Sequence, residues 1–244
     1  MPVTYERGYL IPAIGDVYEA CAEQLKHSIL HFHPDAHVTI LTKHMLPHGD
    51  LGGWANDWQC WHASPYRQTI KLEADQICAS AIDHWWDLLA LRDVVISVGC
   101  RDYFDQPGLA RTYRKVFDAN HLPDVYNGIT YWRLSTTAQQ FFNLVRNIFE
   151  NWSQYKCLLK FSEDLASTDV VYAMAAQIMG PEQVTLPVGL GPNMVHMKRD
   201  INQLQANNWT DQLIWETDPV RINTVAQWGL VHYHNKLWRH DQHE

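Results

Sequence analysis

Two carboxylates close an apolar run in Thr69–Ile77 (TIKLEADQI): Glu73 and Asp75, one small residue apart. On an extended strand, positions two apart point to the same side, so both side chains can converge on one point past the sheet edge. Hard oxygen donors in that arrangement suit Mg²⁺ or Mn²⁺, ions that keep coordination positions open for phosphate oxygens. The same pair also describes a strand end that meets solvent, so the choice depends on what else the chain supplies. Near the C-terminus, HYHNKLW sets His232 and His234 two apart after another apolar run, with Lys236 two further on. Imidazole is an acceptable Mn²⁺ ligand, and a neighbouring lysine suits a phosphate. VHMK, with His196 and Lys198, offers a similar set, so three histidines compete for one ligand position.

Further residues stand out by position. Asp169, at the start of the helical pattern STDVVYAMAA, complements the helix dipole or faces a ligand. Asn127-Gly128 interrupts the strand pattern VYNGITYWR, and a glycine there marks close approach of a ligand or of another backbone. In WANDWQCWH, Trp54, Trp58 and Trp61 either pack over the sheet edge or stack on a ligand ring beside His62 and Arg67. In GCRDY, Arg101 and Asp102 form an ion pair or border a pocket.

The elements that must position these groups alternate between strand and helix patterns. GYLIPA (Gly8 to Ala13) reads as a strand, and Tyr18, Cys21, Leu25, Ile29 and Phe32 recur at helical spacing. HVTILT (His37 to Thr42) is the next strand, completing a β-α-β start that favours parallel pairing and a right-handed crossover. TIKLEAD, RDVVISV and VYNGITYWR supply further strands, and IDHWWDLLAL a helix or irregular packed segment. Ala138, Phe141, Phe142, Val145, Ile148, Phe149 and Trp152 mark a long amphipathic helix. A shorter helix runs from about Asp169 to Met179, with Ser167 or Thr168 as N-cap and Gly180-Pro181 as its stop. AQWGLVHYHNKLW brings a last strand into the polar cluster. With no repeat, low-complexity tract or linker, residues 1–244 read as a single α/β domain.

The 244 residues suffice to bury a substantial core, and 46% hydrophobic with 19% charged residues is ordinary for a globular protein. A formal charge of −8 argues against a protein that coats polyanions, though not against one local basic face. Five widely spaced cysteines with no C-x-x-C pair read as reduced thiols. No run approaches the roughly 20 apolar residues of a membrane span, and the N-terminus lacks a secretory pattern. Those features imply a cytoplasmic protein without a membrane partner.

Taken in order, these motifs resemble the GT-A glycosyltransferases of the glycogenin and lipopolysaccharide-galactosyltransferase type. PAIGDVYEACAEQLKHSI resembles that type's first strand, loop and Tyr-bearing helix. KLEAD resembles its Asp-x-Asp motif, with glutamate for the first aspartate. VYNGITYWR is comparable to its Asn-Gly strand, STDVVYA to its Asp-Gln-Asp helix start with one aspartate kept, and VHYHNKLW to its closing His-Gly-Lys-Pro-Trp segment without Gly and Pro. SPYRQTIKLEAD, IDHWWDLL and DVYNGITYWR look like a narrower group, the glycosyltransferase-like proteins of T4-like bacteriophages, for which the host cytoplasm would be the location.

The resemblance implies a GT-A-like domain, a mostly parallel twisted sheet flanked by helices. It implies a metal-dependent transfer of a sugar from a nucleoside-diphosphate sugar, a UDP-sugar by preference, to an acceptor hydroxyl with retention of configuration. Pro12, Ala13, Asp16 and Tyr18 would cradle the nucleoside. Glu73, Asp75 and His232 would hold Mn²⁺ or Mg²⁺, with Lys236, Arg67 and Lys71 as phosphate partners. Asn127, Gly128 and Asp169 would face the sugar and acceptor. The phage comparison makes 5-hydroxymethylcytosine in DNA the acceptor of choice; a carbohydrate or protein acceptor, or a binding protein that has lost catalysis, are the alternatives. A nucleotidyltransferase would also place acids at a strand end, but PAIGD is a poor phosphate loop.

Overall fold

A computed structural model of the chain describes residues 3–112, 114–159, 164–198, 213–214, 219–222 and 224–234. Strand β1 (Tyr5–Pro12) leads through a short loop into helix α1 (Asp16–Phe32) and returns as β2 (Val38–Leu41), the β-α-β unit that the spacing predicts. The Trp-rich segment is not an open loop: it forms a 3₁₀ helix over Gly53–Gln59 and a short α2 (Cys60–Ala63). Asn56 holds it by accepting from the Leu51 N–H at 2.8 Å and donating to Asp50 at 2.7 Å. Then follow β3 (Tyr66–Leu72), β4 (Gln76–Cys78), α3 (Trp85–Leu89), β5 (Val94–Val98), β6 (Cys100–Arg101), β7 (Pro107–Gly108) and α4 (Lys115–Ala119).

Strand β8 (Val125–Arg133) precedes α5 (Thr136–Glu150), α6 (Trp152–Leu158), α7 (Thr168–Met179) and α8 (Pro181–Val184). The last strands are β9 (Met194–His196), β10 (Leu213–Ile214), β11 (Arg221–Ile222), β12 (Val225–Ala226) and β13 (Leu230–His232). Ser135 caps α5 by accepting the Ala138 N–H at 3.1 Å. The apolar stripe expected on this helix is buried at Ala138, Phe141, Phe142, Val145 and Ile148, and Trp152 belongs to the next helix.

The main sheet has the order β2-β1-β3-β8-β5, with β1 parallel to β2 and β3 while β8 runs against both of its neighbours. Four of the five strands therefore point the same way. Successive residues face opposite cores: Tyr9 and Ile11 pack with α1 residues Cys21, Leu25 and Ile29, while Leu10 packs with Phe141, Phe142 and α7. Burial on both faces accounts for the near-continuous apolar strands.

A second sheet, ordered β4-β13-β9-β6-β7, abuts the first, and β10, β11 and β12 form a small antiparallel one. Of this second sheet the sequence patterns announce only β13, within AQWGLVHYHNKLW; its other strands span two or three residues, too short for periodicity. Its position decides the geometry of the acidic pair. Strand β3 ends at Leu72, and Glu73, Ala74 and Asp75 form the bend by which the chain leaves one sheet and enters the other. The two acids therefore converge on a bend rather than on one strand. No described helix is long and apolar enough to cross a membrane.

Candidate functional site

The bend is pinned from two sides. The Glu73 N–H donates to the Gly128 carbonyl at 3.3 Å, and the Tyr233 N–H donates to the Asp75 carbonyl at 3.1 Å. Antiparallel pairing of β4 with β13 sets Gln76 opposite His232, which carries the imidazole over the bend. His232 Nε2 lies 3.1 Å from Asp75 Oδ1, and Nδ1 lies 2.9 Å from the Tyr126 hydroxyl and 3.4 Å from Glu73 Oε2. The Tyr126 hydroxyl donates to Glu73 Oε2 at 3.2 Å. One tyrosine thus ties the second nitrogen of the histidine to the first acid.

Burial by itself would push the His232 pKa down, but Asp75 outweighs it, helped by Glu73 and Asp169, and holds it above 6.5. Glu73 is pushed up to about 6, chiefly by burial; His232 opposes the rise, and Asp169 and Asp75 add to it.

The donor atoms of Glu73, Asp75 and His232 lie within 4.8 Å of one another. Two carboxylates and one imidazole form a mixed hard set that suits Mn²⁺ and Mg²⁺. The 3.1 Å between Asp75 Oδ1 and His232 Nε2 fits the roughly 3.0 Å between adjacent ligands of an octahedral ion with bonds of about 2.1 Å. The residues present fit a divalent cation.

Behind this corner lies a buried polar network. Asp169, in the first turn of α7, accepts the Asn127 N–H at 3.0 Å on Oδ1 and a guanidinium hydrogen of Arg114 on Oδ2. Arg114 also donates to Ser167 at 3.1 Å. Lys71 donates to Asp57 at 2.6 Å and to the Asn127 side-chain oxygen at 2.8 Å, and the Tyr172 hydroxyl donates to the other Asp57 oxygen. Lys71 is fully buried, and the pull of Asp57 outweighs desolvation to raise its pKa and keep it charged.

The corner opens on a cavity of about 600 Å³ at the carboxyl ends of β1 and β3. That volume lies within the ordinary range of roughly 300–1,000 Å³ for small-molecule sites. Pro12, Ile14, Tyr18 and Trp54 give it an apolar wall, and Glu73, Asp75, Asp169, Arg114 and His232 line its floor.

No protein-family model matches this sequence. No curated protein matches it either. Solved structures do. The galactosyltransferase LgtC, in complex with donor and acceptor sugar analogues, aligns over 93% of this chain and 87% of its own, at a TM-score of 0.51 and 15% identity. An active-site mutant of LgtC aligns over the same shares at a TM-score of 0.55 and 15% identity. The glycosyltransferase GlyE of Streptococcus pneumoniae aligns over 97% of this chain and 57% of its own, with a TM-score of 0.52 and 10% identity. The chain has the GT-A fold.

On the GT-A frame, the predicted residues separate into those that reach the cavity and those that do not. Pro12, Tyr18, Glu73, Asp75, Asp169 and His232 line it. Ala13 is core, its N–H donating to the Leu41 carbonyl, and Asp16 faces a shallow groove beside α1 and β2. Two expected phosphate partners lie elsewhere. Lys71 is spent on Asp57 and Asn127 beneath the floor. Arg67 sits at the opposite end of β3, paired with Glu6 at 3.3 Å, about 20 Å of strand away from Glu73. Lys236 lies outside the described residues.

Asn127 and Gly128 support the site rather than line it. The main-sheet register shifts there: Ile96 pairs Thr130 while Ser97 pairs Tyr126, so β8 bulges over the intervening residues. A Cβ on Gly128 would stand 2.6 Å from the Tyr126 ring and 2.8 Å from the end of Met194. The close approach that the glycine signals is that of Tyr126. Arg101 lies 3.5 Å from Asp105 and beneath the Trp228 ring, away from the cavity, and Asp102 caps a turn by accepting the N–H groups of Phe104 and Gln106.

Of the three tryptophans in this segment, Trp58 is core and Trp61 stacks on Phe142, while Trp54 is 55% exposed at the cavity. His232 occupies the acidic corner, and His196 pairs instead with His234. Tyr126, Arg114 and Asp57 belong to the site without having been singled out in the sequence. Only Tyr126 carries a signal, as the same-face neighbour of an in-strand glycine.

Proposed function

We propose that the protein is a metal-dependent glycosyltransferase that moves a sugar from a nucleoside-diphosphate sugar, a UDP-sugar by first choice, to an acceptor hydroxyl. The observation that carries this reading is the Glu73–Asp75–His232 corner opening on the cavity of a GT-A fold. Of the acids that line that cavity, Asp50 is paired with Lys43, Asp57 with Lys71 and Asp169 with Arg114, which leaves Glu73 and Asp75 concentrated beside His232. Such an acidic corner repels a diphosphate unless a cation stands between them. Mn²⁺ or Mg²⁺ held there by Asp75, His232 and Glu73 would neutralise the charge gathering on the departing diphosphate.

The chain's own residues have distinct tasks in this reading. Pro12, Ile14 and Tyr18 receive the nucleoside against the apolar wall. Tyr126 fixes the imidazole by engaging Nδ1, which leaves Nε2 facing Asp75. Arg114 orients Asp169 toward the sugar side and adds positive charge for the diphosphate. With both Asp169 oxygens engaged by Arg114 and by the Asn127 N–H, Asp169 is poorly placed to act as a free base. That favours retention over an inverting reaction in which Asp169 deprotonates the acceptor.

The acceptor is the finer question. Trp54 offers one exposed ring at the cavity, which suits stacking on an extruded 5-hydroxymethylcytosine or on a sugar. The DNA reading rests on that ring and on the phage resemblance.

Two measurements test the proposal. UDP release from a panel of UDP-sugars is expected to require Mn²⁺ or Mg²⁺; neither turnover nor UDP binding with any of them would refute the reading. Mass spectrometry of hydroxymethylcytosine-containing DNA, run beside oligosaccharide acceptors, is expected to show a hexose or pentose increment on the modified base. Unchanged nucleosides alongside a glycosylated oligosaccharide would move the acceptor to carbohydrate.

A further inference from the structure

His232 has imidazoles as well as carboxylates for neighbours. Strands β9 and β13 run parallel with His196 directly opposite His232, so both side chains leave the sheet on the same side, ring centres 5.4 Å apart. Two residues later His234 takes a left-handed backbone, φ 61°, uncommon for a residue with a Cβ. That turn folds its ring back over His232, stacked at 3.8 Å, and brings its Nε2 to 2.8 Å from His196 Nδ1. The donor nitrogens of all three lie within 4.8 Å of one another. His196 and His232 are buried, and His234 lines the cavity, which gives the cluster a route to solvent.

Two ring nitrogens facing each other at this distance share one hydrogen, one donating and the other accepting. A cation with bonds of about 2.1 Å does not fit on the line between them, but takes both nitrogens as adjacent ligands once the rings turn from each other toward it. Ligand chemistry then separates the two clusters. Three neutral imidazoles favour Zn²⁺, Ni²⁺ and Cu²⁺, whereas two carboxylates with one imidazole suit Mn²⁺ and Mg²⁺. In the acidic corner both His232 nitrogens are engaged, by Asp75 on one edge and by Tyr126 and Glu73 on the other. Turning either nitrogen to a second cation withdraws the ring from the corner.

We infer that His196, His232 and His234 form a second cation site, selective for borderline transition ions such as Zn²⁺ and Ni²⁺, whose occupation disables the carboxylate corner through the shared His232. The three-imidazole site stands on its own geometry. Only the mutual exclusion rests on the cation seat proposed above.

The test is calorimetric titration of the untagged full chain with Ni²⁺ and, separately, Mn²⁺, for the wild type, His196→Ala, His234→Ala and Glu73→Gln. Loss of a histidine ligand is expected to weaken Ni²⁺ binding about tenfold or more, with a smaller effect on Mn²⁺. Glu73→Gln is expected to do the reverse, and saturating Ni²⁺ to suppress Mn²⁺ binding by competition. His234→Ala, at a half-buried position, carries the test if the buried His196→Ala chain fails to fold.

Ni²⁺ affinity unchanged in His234→Ala would overturn the site. Simultaneous stoichiometric binding of both ions would overturn the exclusion. Histidine-dependent Ni²⁺ binding in a chain that binds no Mn²⁺ would uphold the three-imidazole site and refute the carboxylate seat.

Discussion

At the residue scale, Asp75 and Tyr126 make different contributions to one histidine, and substitution separates them. Asp75→Asn keeps the size and one acceptor but removes the charge that faces His232 Nε2. Mn²⁺-dependent UDP release is expected to fall by about 100-fold or more, with the thermal midpoint little changed; wholesale unfolding would assign Asp75 a structural role instead. Tyr126→Phe removes the hydroxyl between Glu73 and His232. It is expected to weaken Mn²⁺ binding by about tenfold while leaving nucleotide affinity at saturating Mn²⁺ intact. A loss confined to folding stability would contradict the positioning role.

Lys71 answers to another measurement. Lys71→Met leaves Asp57, at the cavity wall and held by the Tyr172 hydroxyl alone on its other oxygen, without its cation, and breaking a largely buried pair in that way costs about 3 kcal/mol. Denaturant unfolding reads it directly. The spacing of acids and imidazoles at strand and helix ends singles out Glu73, Asp75, His232 and Asp169, and the fold brings all four to one cavity. The sequence misassigns Lys71 because a cation two residues before a metal acid looks the same whether it faces a phosphate or a buried aspartate. Asp57, 14 residues away in a helical turn, carries no pattern that would tell the two apart.

At the element scale, Gly128 decides how β8 serves the site. The bulge at Asn127-Gly128 lets the Tyr126 ring lie along its own strand, while Asn127 reaches the opposite side to meet Lys71. Gly128→Ala is expected to destabilise the fold by about 1–3 kcal/mol, the usual cost of overpacking. It is also expected to raise the Mn²⁺ dissociation constant, since the tyrosine must move. An alanine variant with wild-type Mn²⁺ binding would show that the ring can be displaced without consequence. Elements with a full period of apolar residues, such as α1, α5, β1 and β8, are legible in the chain. Strand β13 is legible as the last strand of AQWGLVHYHNKLW, but β4 and β9 are not, since three residues hold no period and the pairing that defines them comes from distant parts of the chain. Those short strands set which histidine meets which acid, and the three-way ambiguity among His196, His232 and His234 follows from that.

On the scale of the whole molecule, the two sheets meet where charge is concentrated, and this sets a pH response. Glu73 is pushed up to about 6 and His232 is held above 6.5. Below those values protons occupy the donors that a cation needs, and binding must displace them. Mn²⁺ affinity is therefore expected to rise with pH through the Glu73 value of about 6 and on through the raised His232 titration, and then level off. Free Mn²⁺ followed by electron paramagnetic resonance at graded pH checks this. An affinity flat across that window would mean that these groups are not ligands.

The bend at Glu73–Asp75 is also a mechanical joint. The main sheet delivers it from β3, and the second sheet clasps it through β4 and β13, so a cation held by Asp75 and His232 rivets one sheet to the other. Binding to the folded state alone at 100 times the dissociation constant adds about 2.7 kcal/mol of stability. That gain should concentrate at the rivet: on adding Mn²⁺, amide exchange is expected to slow most in β4 and β13, while α5, on the far face of the main sheet, keeps its rate. The protein would then carry its cofactor as a fastener, and its second sheet would be held most firmly when the site is loaded.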